Sequence, residues 1–161
     1  MIRVEKYNFS HFDDLVSYQL PPEQAQYTLQ PWQWFEGQTL LLEIGMTAVS
    51  ILKDDKAVGF FILDRSHHKL AYTENNQAIL LRSFSINPDF QGQGIALESL
   101  RPERIDPIIY NLSPQYNEIV LAVNPLNRSA YQLYCKAGFQ AVGRIIIKRK
   151  RSNSVLSRRI R

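Results

Sequence analysis

The chain has 161 residues, which is enough for one domain with a buried core. Hydrophobic residues make up 45% and charged residues 21% of the sequence, the ordinary balance of a globular protein in water. The longest apolar run, Ala57–Leu63, is far too short to span a membrane, and the first residues lack the apolar segment of a secretory signal. The single cysteine excludes an intrachain disulfide. We therefore expect one domain over residues 1–161, in a reducing cytoplasm.

The charges are distributed unevenly along the chain. All 15 acidic residues lie at or before Glu118, whereas more than half of the 19 basic residues follow it. The basic end contains Lys148–Arg151 and Arg158–Arg161. We favour a solvated hairpin edge, because Lys and Arg discourage edge-to-edge pairing of strands. The alternatives are a patch for nucleic acid or an anionic membrane, attraction of a polyanionic cofactor, and an oligomer contact.

The first half of the sequence alternates between helical and β-type patterns. A short strand is expected within residues 1–10, and "LPPEQ" separates two helical segments because proline removes a donor and fixes φ. The dipeptide "DD" within "KDDK" marks a hairpin between two β-rich runs. The predicted helices are Phe12–Leu20 and Glu23–Gly37, and the predicted hairpin strands are Met46–Leu52 and Lys56–Asp64.

The second half begins with a strand at Gln77–Asn87 and a helix after Gly94. Pro102 and Pro107 interrupt that helix, so we expect a break near Arg101. Asp106 followed by Pro107 is typical of an N-cap and first helical residue, which predicts that the helix restarts there.

The remaining elements are a strand, a helix and a closing hairpin. Glu118–Asn124 has a nearly continuous apolar core, and Asn127–Ala137 has apolar residues at helical spacing, with Asn127 as N-cap and Gly138 as the stop. Two last strands, Phe139–Lys148 and Val155–Ile160, flank "RSNS". This order of elements predicts an α+β fold around one sheet.

Two of the seven glycines stand one residue apart in "SINPDFQGQGIALESL" (residues 85–100), where a strand gives way to a helix. A dinucleotide-binding fingerprint fails because Leu97 occupies the third position, and a P-loop fails because no lysine is present. Gln91, Gly94 and Ala96 remain, as Q-x-x-G-x-A. Small residues before a helix N-terminus allow backbone N–H groups to approach a pyrophosphate. A tight strand-to-helix turn without a ligand would use the same residues.

A second motif, "NPLNRSAYQLYCKAGF" (residues 124–139), lies further along the chain. Together the two motifs resemble those of the GNAT superfamily of acetyl-CoA-dependent N-acetyltransferases, over roughly Ile79–Gly143. The resemblance implies a single-domain fold with a mixed, mostly antiparallel sheet flanked by helices. The residues that fit the second motif are Asn127, Ala130, Leu133, Tyr134, Lys136, Gly138 and Phe139.

The resemblance also implies acetyl-CoA as co-substrate and direct attack by an amine in a ternary complex. A backbone amide near Phe84 would stabilise the carbonyl oxygen, and Tyr134 would protonate the departing thiolate. The alternative for Tyr134 is packing of a tyrosine in the core. The implied cofactor-binding residues are Phe84, Ser85 and Ile86 along the pantetheine arm, Gln91, Gly92, Gln93, Gly94, Ile95, Ala96 and Leu97 around the pyrophosphate, and Asn127 on the pantetheine arm.

The sequence departs from the family at the general base. Related enzymes often carry a carboxylate at two positions that correspond here to Leu80 and Ala122, and both are apolar. The base is therefore elsewhere, a chain of waters, or unnecessary for an amine of low pKa. The carboxylates in the variable half that could build the acceptor pocket are Glu23, Glu36, Glu43 and Glu74.

The acidic first 118 residues favour a small cationic amine as acceptor. A protein N-terminus or lysine is the alternative, and a catalytically silent CoA-binding or basic-tail module is an alternative of another class. The stretch "LPPEQAQYTLQPWQWFE" fits helix packing and an acceptor wall equally well. His11, His67 and His68 have no metal-ligand spacing with the cysteine, so no metal is expected. No membrane partner is expected, nucleic acid is disfavoured, and a homodimer is left open.

Overall fold

The computed structural model describes residues 1–160 and is built on a mixed seven-stranded sheet with the strand order β1-β4-β5-β6-β7-β9-β8. Within these residues β6 and β7 are parallel, and the other neighbouring strands are antiparallel. The strands are β1 (Ile2–Lys6), β2 (Phe35–Glu36), β3 (Thr39–Leu40), β4 (Met46–Lys53), β5 (Lys56–Asp64), β6 (Ala78–Ile86), β7 (Glu118–Val123), β8 (Gln140–Lys148) and β9 (Arg151–Arg159). The helices are α1 (Phe12–Val16), α2 (Pro22–Ala25), α3 (Ile95–Ser99), α4 (Pro102–Leu112) and α5 (Arg128–Lys136). The short β2–β3 hairpin lies outside the main sheet. This architecture confirms the predicted fold class.

The central strand β5 is buried on both faces because helical layers cover each side of the sheet. Phe61 and Leu63 face a core cluster that includes residues of α3, α4 and α5. Phe60 and Ile62 face a second cluster that includes Leu15 of α1. A strand buried on both faces needs a nearly continuous apolar run, which "AVGFFIL" supplies.

The predicted hairpin β4–β5, the strands β6 and β7, and helix α5 agree with the structure to within a few residues. Gly138 ends α5 in the left-handed conformation, with φ 95°, as expected for the residue after a helix.

The predicted helix over Glu23–Gly37 is wrong. The segment forms α2, a 3₁₀ turn at Pro31–Trp34 and strand β2. Pro31 cannot donate a backbone hydrogen bond, and the Gln33 side chain instead accepts a hydrogen bond from the Gln30 N–H at 2.8 Å, which starts a new turn. The first predicted helix is also shorter, since α1 ends at Val16.

The predicted break near Arg101 is confirmed, because Arg101 is extended (φ −63°, ψ 144°) and Pro102 begins α4. The predicted restart at Asp106–Pro107 is wrong, since both residues lie inside α4. The Asp106 carboxylate is buried and pairs with Arg158 of β9, with Oδ1 2.6 Å from Nη2. Asp106 therefore anchors α4 to the sheet instead of capping a helix.

The connection in the closing hairpin is shorter than predicted, because the second strand begins at Arg151 and not at Val155. Lys148 pairs with Arg151, and the two residues between them, Arg149 and Lys150, have φ of 52° and 63°. Residues of "RSNS" therefore belong to β9.

The two basic clusters near the end of the chain lie in different environments. Lys148–Arg151 is exposed at the end of the edge strand β8, as expected for a solvated hairpin edge. Arg158 is 5% exposed and belongs to the core, so the solvated-edge interpretation is wrong there. Arg161 lies outside the described residues.

The Asp106–Arg158 pair generates a prediction about stability. Arg158→Met should lower the free energy of unfolding by about 3–5 kcal/mol, because it removes the guanidinium that balances a buried carboxylate. Urea unfolding followed by circular dichroism measures this change. The double variant Asp106→Leu/Arg158→Met should recover most of the loss, because no buried charge is left.

Arg159→Met is the matched control for this prediction. Arg159 is the exposed neighbour on the same strand, and its replacement should change stability by no more than about 0.5 kcal/mol. Equal effects of the two single variants would show that the buried pair does not stabilise the fold.

Candidate active site

A cavity of about 1130 Å³ opens where β6 and β7 part. The two strands are paired only from Ala78–Leu80 to Glu118–Val120, although each continues beyond this point. The later residues of both strands line the cavity, together with the glycine loop (Gln91–Gly94), α5 and the strap (Leu20–Leu29). Its volume slightly exceeds the roughly 300–1000 Å³ of ordinary small-molecule pockets.

A β-bulge redirects the backbone of β6 beside this cavity. Pairing with β5 passes from Phe60–Ser85 to Ile62–Arg82, so that Ser83 and Phe84 together face one residue of β5. Ser83 has φ 59°, which is unusual for a residue with a side chain. Bulges next to active sites commonly redirect a strand in this way.

Side chains from both halves of the chain hold the bulge. Trp34 donates to the Ser83 hydroxyl at 3.2 Å, and the Tyr18 and Ser85 hydroxyls are 2.8 Å apart. Arg82 donates to the buried carboxylate of Asp64 at 3.1 Å. Burial raises the pKa of Tyr18 far above its usual value, so its hydroxyl stays protonated at neutral pH. Sequence reasoning missed this cluster, whose members lie up to 67 residues apart without a common motif.

The glycine loop presents free N–H groups at the start of α3. Gly94 is the N-cap with φ 77°, and the first helical hydrogen bond runs from the Glu98 N–H to the Gly94 carbonyl oxygen at 3.0 Å. The N–H groups of residues 95–97 precede this bond and therefore have no acceptor within the helix. A Cβ built at Gly92 or Gly94 would meet no atom within 4 Å, so the space before the loop is open. This arrangement fits a pyrophosphate.

The Gln91 side chain fixes the loop to its surroundings. Its Nε2 donates to the Ile86 carbonyl oxygen at 2.9 Å, and it exchanges hydrogen bonds of 3.0 and 2.9 Å with Gln24 of the strap. Gln93 is the only predicted cofactor residue that does not line the cavity. Its side chain accepts from Lys53 Nζ at 2.8 Å, which leaves its backbone N–H for a ligand.

Tyr134 combines a packed ring with a free hydroxyl. The ring meets Phe84 and Phe139 edge-on, with centroids 6.2 and 5.9 Å away, and the residue is 8% exposed. Burial raises the pKa of Tyr134 far above its usual value. No other residue within 1–160 forms a hydrogen bond with its hydroxyl, and Tyr134 lines the cavity. Core packing and a functional hydroxyl are therefore compatible.

Asn127 occupies the N-cap position of α5, but its side chain forms no capping hydrogen bond. The predicted N-cap position is therefore confirmed, although the side chain does not cap the helix. Asn127 lines the cavity, so its amide is available to a ligand. Asn124 supports the turn before the helix, because its Oδ1 accepts from the Leu126 N–H at 2.9 Å.

The cavity has few carboxylates. Of the four glutamates considered for the acceptor side, Glu23 lines it, whereas Glu36, Glu43 and Glu74 do not. Leu80 is buried in the core, while Ala122 lines the cavity. Within the described residues, Glu23 is thus the one acidic side chain of the lining. The basic side chains of the lining are Arg82, Arg128, Lys136, Lys148, Arg149 and Arg151.

The described part of the chain offers no group of three His, Cys, Asp or Glu side chains arranged for a metal ion. No helix within residues 1–160 is both long and apolar enough to cross a membrane.

Comparisons with known proteins find a relative by sequence and solved structures with a similar fold. No protein-family model matches the chain. The chain is 36% identical over 144 residues, 89% of its length and 88% of the other's, to a Bacillus subtilis (strain 168) protein named uncharacterized N-acetyltransferase YbbJ. The aminoglycoside acetyltransferase AAC(6')-Ib, solved with coenzyme A and kanamycin, superimposes with a TM-score of 0.76 at 12% identity, covering 99% of this chain and 95% of that one. Spermidine N-acetyltransferase from Vibrio cholerae, solved with CoA and spermine, gives a TM-score of 0.66 at 14% identity, with 99% and 95% covered. At such identities the structural likeness shows the fold alone.

Proposed function

Because the chain belongs to the GNAT superfamily of acetyl-CoA-dependent N-acetyltransferases, we propose that it transfers the acetyl group directly to a primary amine of a small acceptor. Both substrates bind together, and no acyl-enzyme forms. The observation that carries the proposal is the gap between β6 and β7, with the glycine loop at one side and the Tyr134 hydroxyl in its wall. Residues 1–161 would act as one catalytic domain.

The cavity supplies what the cofactor needs. The edge of β6 that faces away from β5 has lost its partner strand beyond Leu80, so Phe84, Ser85 and Ile86 can pair with a pantetheine arm as an added strand would. The glycine loop would hold the pyrophosphate through backbone N–H groups. Asn127, whose side chain has no capping role, would bind the arm. Acetyl-CoA supplies the thioester carbonyl that the amine attacks.

Three groups of the chain would then take part in the reaction. The backbone amide near Phe84, redirected by the bulge, would donate to the carbonyl oxygen as negative charge develops there. Tyr134 would give a proton to the sulfur as the C–S bond breaks. We assign the incoming ammonium's proton to Glu23, through water, because Glu23 is the carboxylate of the lining within residues 1–160.

The strap favours a small acceptor over a protein chain. It is joined to the glycine loop through Gln24 and Gln91, and its Gln26 carbonyl oxygen accepts from Arg149 Nη1 at 3.4 Å. The strap thus lines the cavity and contacts both the glycine loop and Arg149, which supports the acceptor-wall interpretation of this segment. Kanamycin and spermine in the two solved structures are small amines and support the same size class.

The cationic character expected for the acceptor has less support. The expectation came from the acidic first 118 residues, but the cavity lining carries one carboxylate and six basic side chains in the described chain. We therefore retain a small primary amine as the proposed acceptor and take up its charge below.

Two further expectations belong to this proposal. The exposed free thiol of Cys135 is consistent with a reducing cytoplasm. A homodimer would use the open edge of β8, where Ile145 and Ile147 are each 66% exposed.

The proposed activity is tested by incubating the protein with acetyl-CoA and a panel of amines and measuring the free thiol released. Thiol release should require an amine, and mass spectrometry should find no acetylated protein when acetyl-CoA is present alone. Acetyl-CoA binding without turnover on any amine would instead favour a silent CoA-binding module.

Gly94→Asp should weaken binding of acetyl-CoA by about fivefold to a thousandfold while the fold is retained. The space before Gly94 is open, so the new carboxylate would lie where the pyrophosphate binds, and like charges about 4 Å apart repel by roughly 1–4 kcal/mol. Calorimetry measures the affinity. Gly94→Asn is the matched control, because asparagine has the same shape and tolerates positive φ without adding charge. Equal affinities of the two variants would contradict a phosphate-binding role for the loop.

Tyr134→Phe should lower kcat by about 10²–10⁴-fold, because it removes the proton donor while it retains the packed ring. Affinity for acetyl-CoA should change little, since the hydroxyl acts as charge develops on sulfur. Tyr131→Phe, a partly buried tyrosine of the same helix that does not line the cavity, is the control. If Tyr134→Phe turns over within about twofold of the parent, Tyr134 is a packing residue.

The raised pKa of Tyr134 adds a prediction about pH. A group whose pKa is raised keeps its proton below that pKa, so the tyrosine remains a donor throughout the usual assay range. The parent's kcat should therefore show no decline between about pH 7 and 9, below even the ordinary tyrosine pKa of ~10. A decline that disappears in Tyr134→Phe would show that the hydroxyl ionises in this range.

A further inference from the structure

The basic turn (Lys148–Arg151) forms part of the cavity wall. Lys148 Nζ donates to the Tyr72 hydroxyl at 3.0 Å, and the Arg151 guanidinium lies over the Tyr27 ring, 5.4 Å from its centroid. Arg149 donates to the strap, as described above. Three of the four cations of the turn line the cavity, and Lys150 does not. Two of these cations, Arg149 and Arg151, therefore contact the strap, and Lys148 contacts Tyr72, another residue of the cavity lining.

The charges of the turn are not compensated by acidic side chains. Among the described residues, no carboxylate oxygen lies within 4.0 Å of a charged nitrogen of Lys148, Arg149 or Arg151. Arg82 differs, because the buried Asp64 balances it at 3.1 Å. Cations concentrated in a cleft raise the local concentration of anions.

The cavity lining within residues 1–160 also contains one acidic residue, Glu23. Glu23 lies in the first turn of α2 and lines the cavity. A carboxylate suits the ammonium of an acceptor, and the basic turn suits an anion. The cofactor's phosphates have other candidate partners in the lining, namely the glycine loop and the α5 residues Arg128 and Lys136.

We infer that the acceptor is an amine that also carries an anionic group, a carboxylate or a phosphate, bound by Lys148, Arg149 and Arg151. This inference rests on the proposed N-acetyltransferase activity and names the class of its acceptor. It replaces the cationic amine expected from the charge of the first 118 residues.

The test compares acceptors that differ only in the anion. The pairs are ethanolamine with phosphoethanolamine, glucosamine with glucosamine 6-phosphate, and propylamine with β-alanine, and spermidine serves as the cationic amine. The better anion-bearing member should exceed its anion-free partner by about tenfold or more in kcat/KM, as one lost charge contact would predict. The phosphate and carboxylate pairs identify which anion is preferred.

Variants of the turn identify the residues responsible. Arg151→Gln should lower kcat/KM for the preferred anion-bearing acceptor by about tenfold, mainly through KM. The kcat/KM for the matching anion-free amine should stay within about twofold of the parent's value. Arg151→Lys should restore much of the loss because it restores the charge. Lys150→Gln is the matched control, since Lys150 has the same charge in the same turn but does not line the cavity. The KM for acetyl-CoA should be unchanged in all three.

Three results would overturn the inference. Spermidine as the best acceptor would contradict it and leave the proposed activity intact. A raised KM for acetyl-CoA in Arg151→Gln, with the preference among acceptors unchanged, would assign the turn to the cofactor's phosphates. Absence of thiol release with every acceptor, while calorimetry still detects bound acetyl-CoA, would overturn the proposed activity and this inference together.

Discussion

The early end of the β6–β7 pairing is the constraint on which the site depends. The two parallel strands pair over three residues each and then separate. Beyond that point β6 keeps its ladder with β5 but has a second edge of N–H and C=O groups without a partner strand. Unpaired backbone groups away from water are costly, so such an edge favours a ligand that can pair with it. The glycine loop, α5 and the strap all lie around this gap.

The bulge in β6 is stable because distant parts of the chain hold it. Ser83 adopts a positive φ that its side chain disfavours, and Trp34 and Tyr18 bind the residues of the bulge from the N-terminal segment. The Arg82–Asp64 pair fixes the preceding residue to β5. Strain of this kind persists only where the surroundings determine the conformation. The N-terminal segment therefore both lines the cavity and holds the bulged strand β6 beside it.

Features set by neighbours in sequence could be predicted. The β4–β5 hairpin and α5 depend on local alternation and helical spacing, and the glycine loop is a contiguous motif. Predictions failed where a distant partner decides the structure. Asp106 has the local pattern of a cap, but Arg158, 52 residues away, draws it into the core. By contrast, the predicted helix over Glu23–Gly37 failed for a local reason, because Pro31 cannot donate a backbone hydrogen bond and the Gln33 side chain accepts one from the Gln30 N–H at the start of a new turn.

The charge of the cavity illustrates the same limit. The acidic residues up to Glu118 are numerous, but several of them form ion pairs within the fold. Within the described residues, the carboxylates that lie within 4.0 Å of an arginine nitrogen or the N-terminal ammonium are those of Glu5, Asp54, Asp55, Asp64, Glu98, Glu103 and Asp106. The basic turn has no such pairing, although it contributes only a few of the chain's charges. A ligand in the cavity therefore meets the charges that the fold leaves uncompensated, and these have the opposite sign to the net charge of the segment that forms much of the wall.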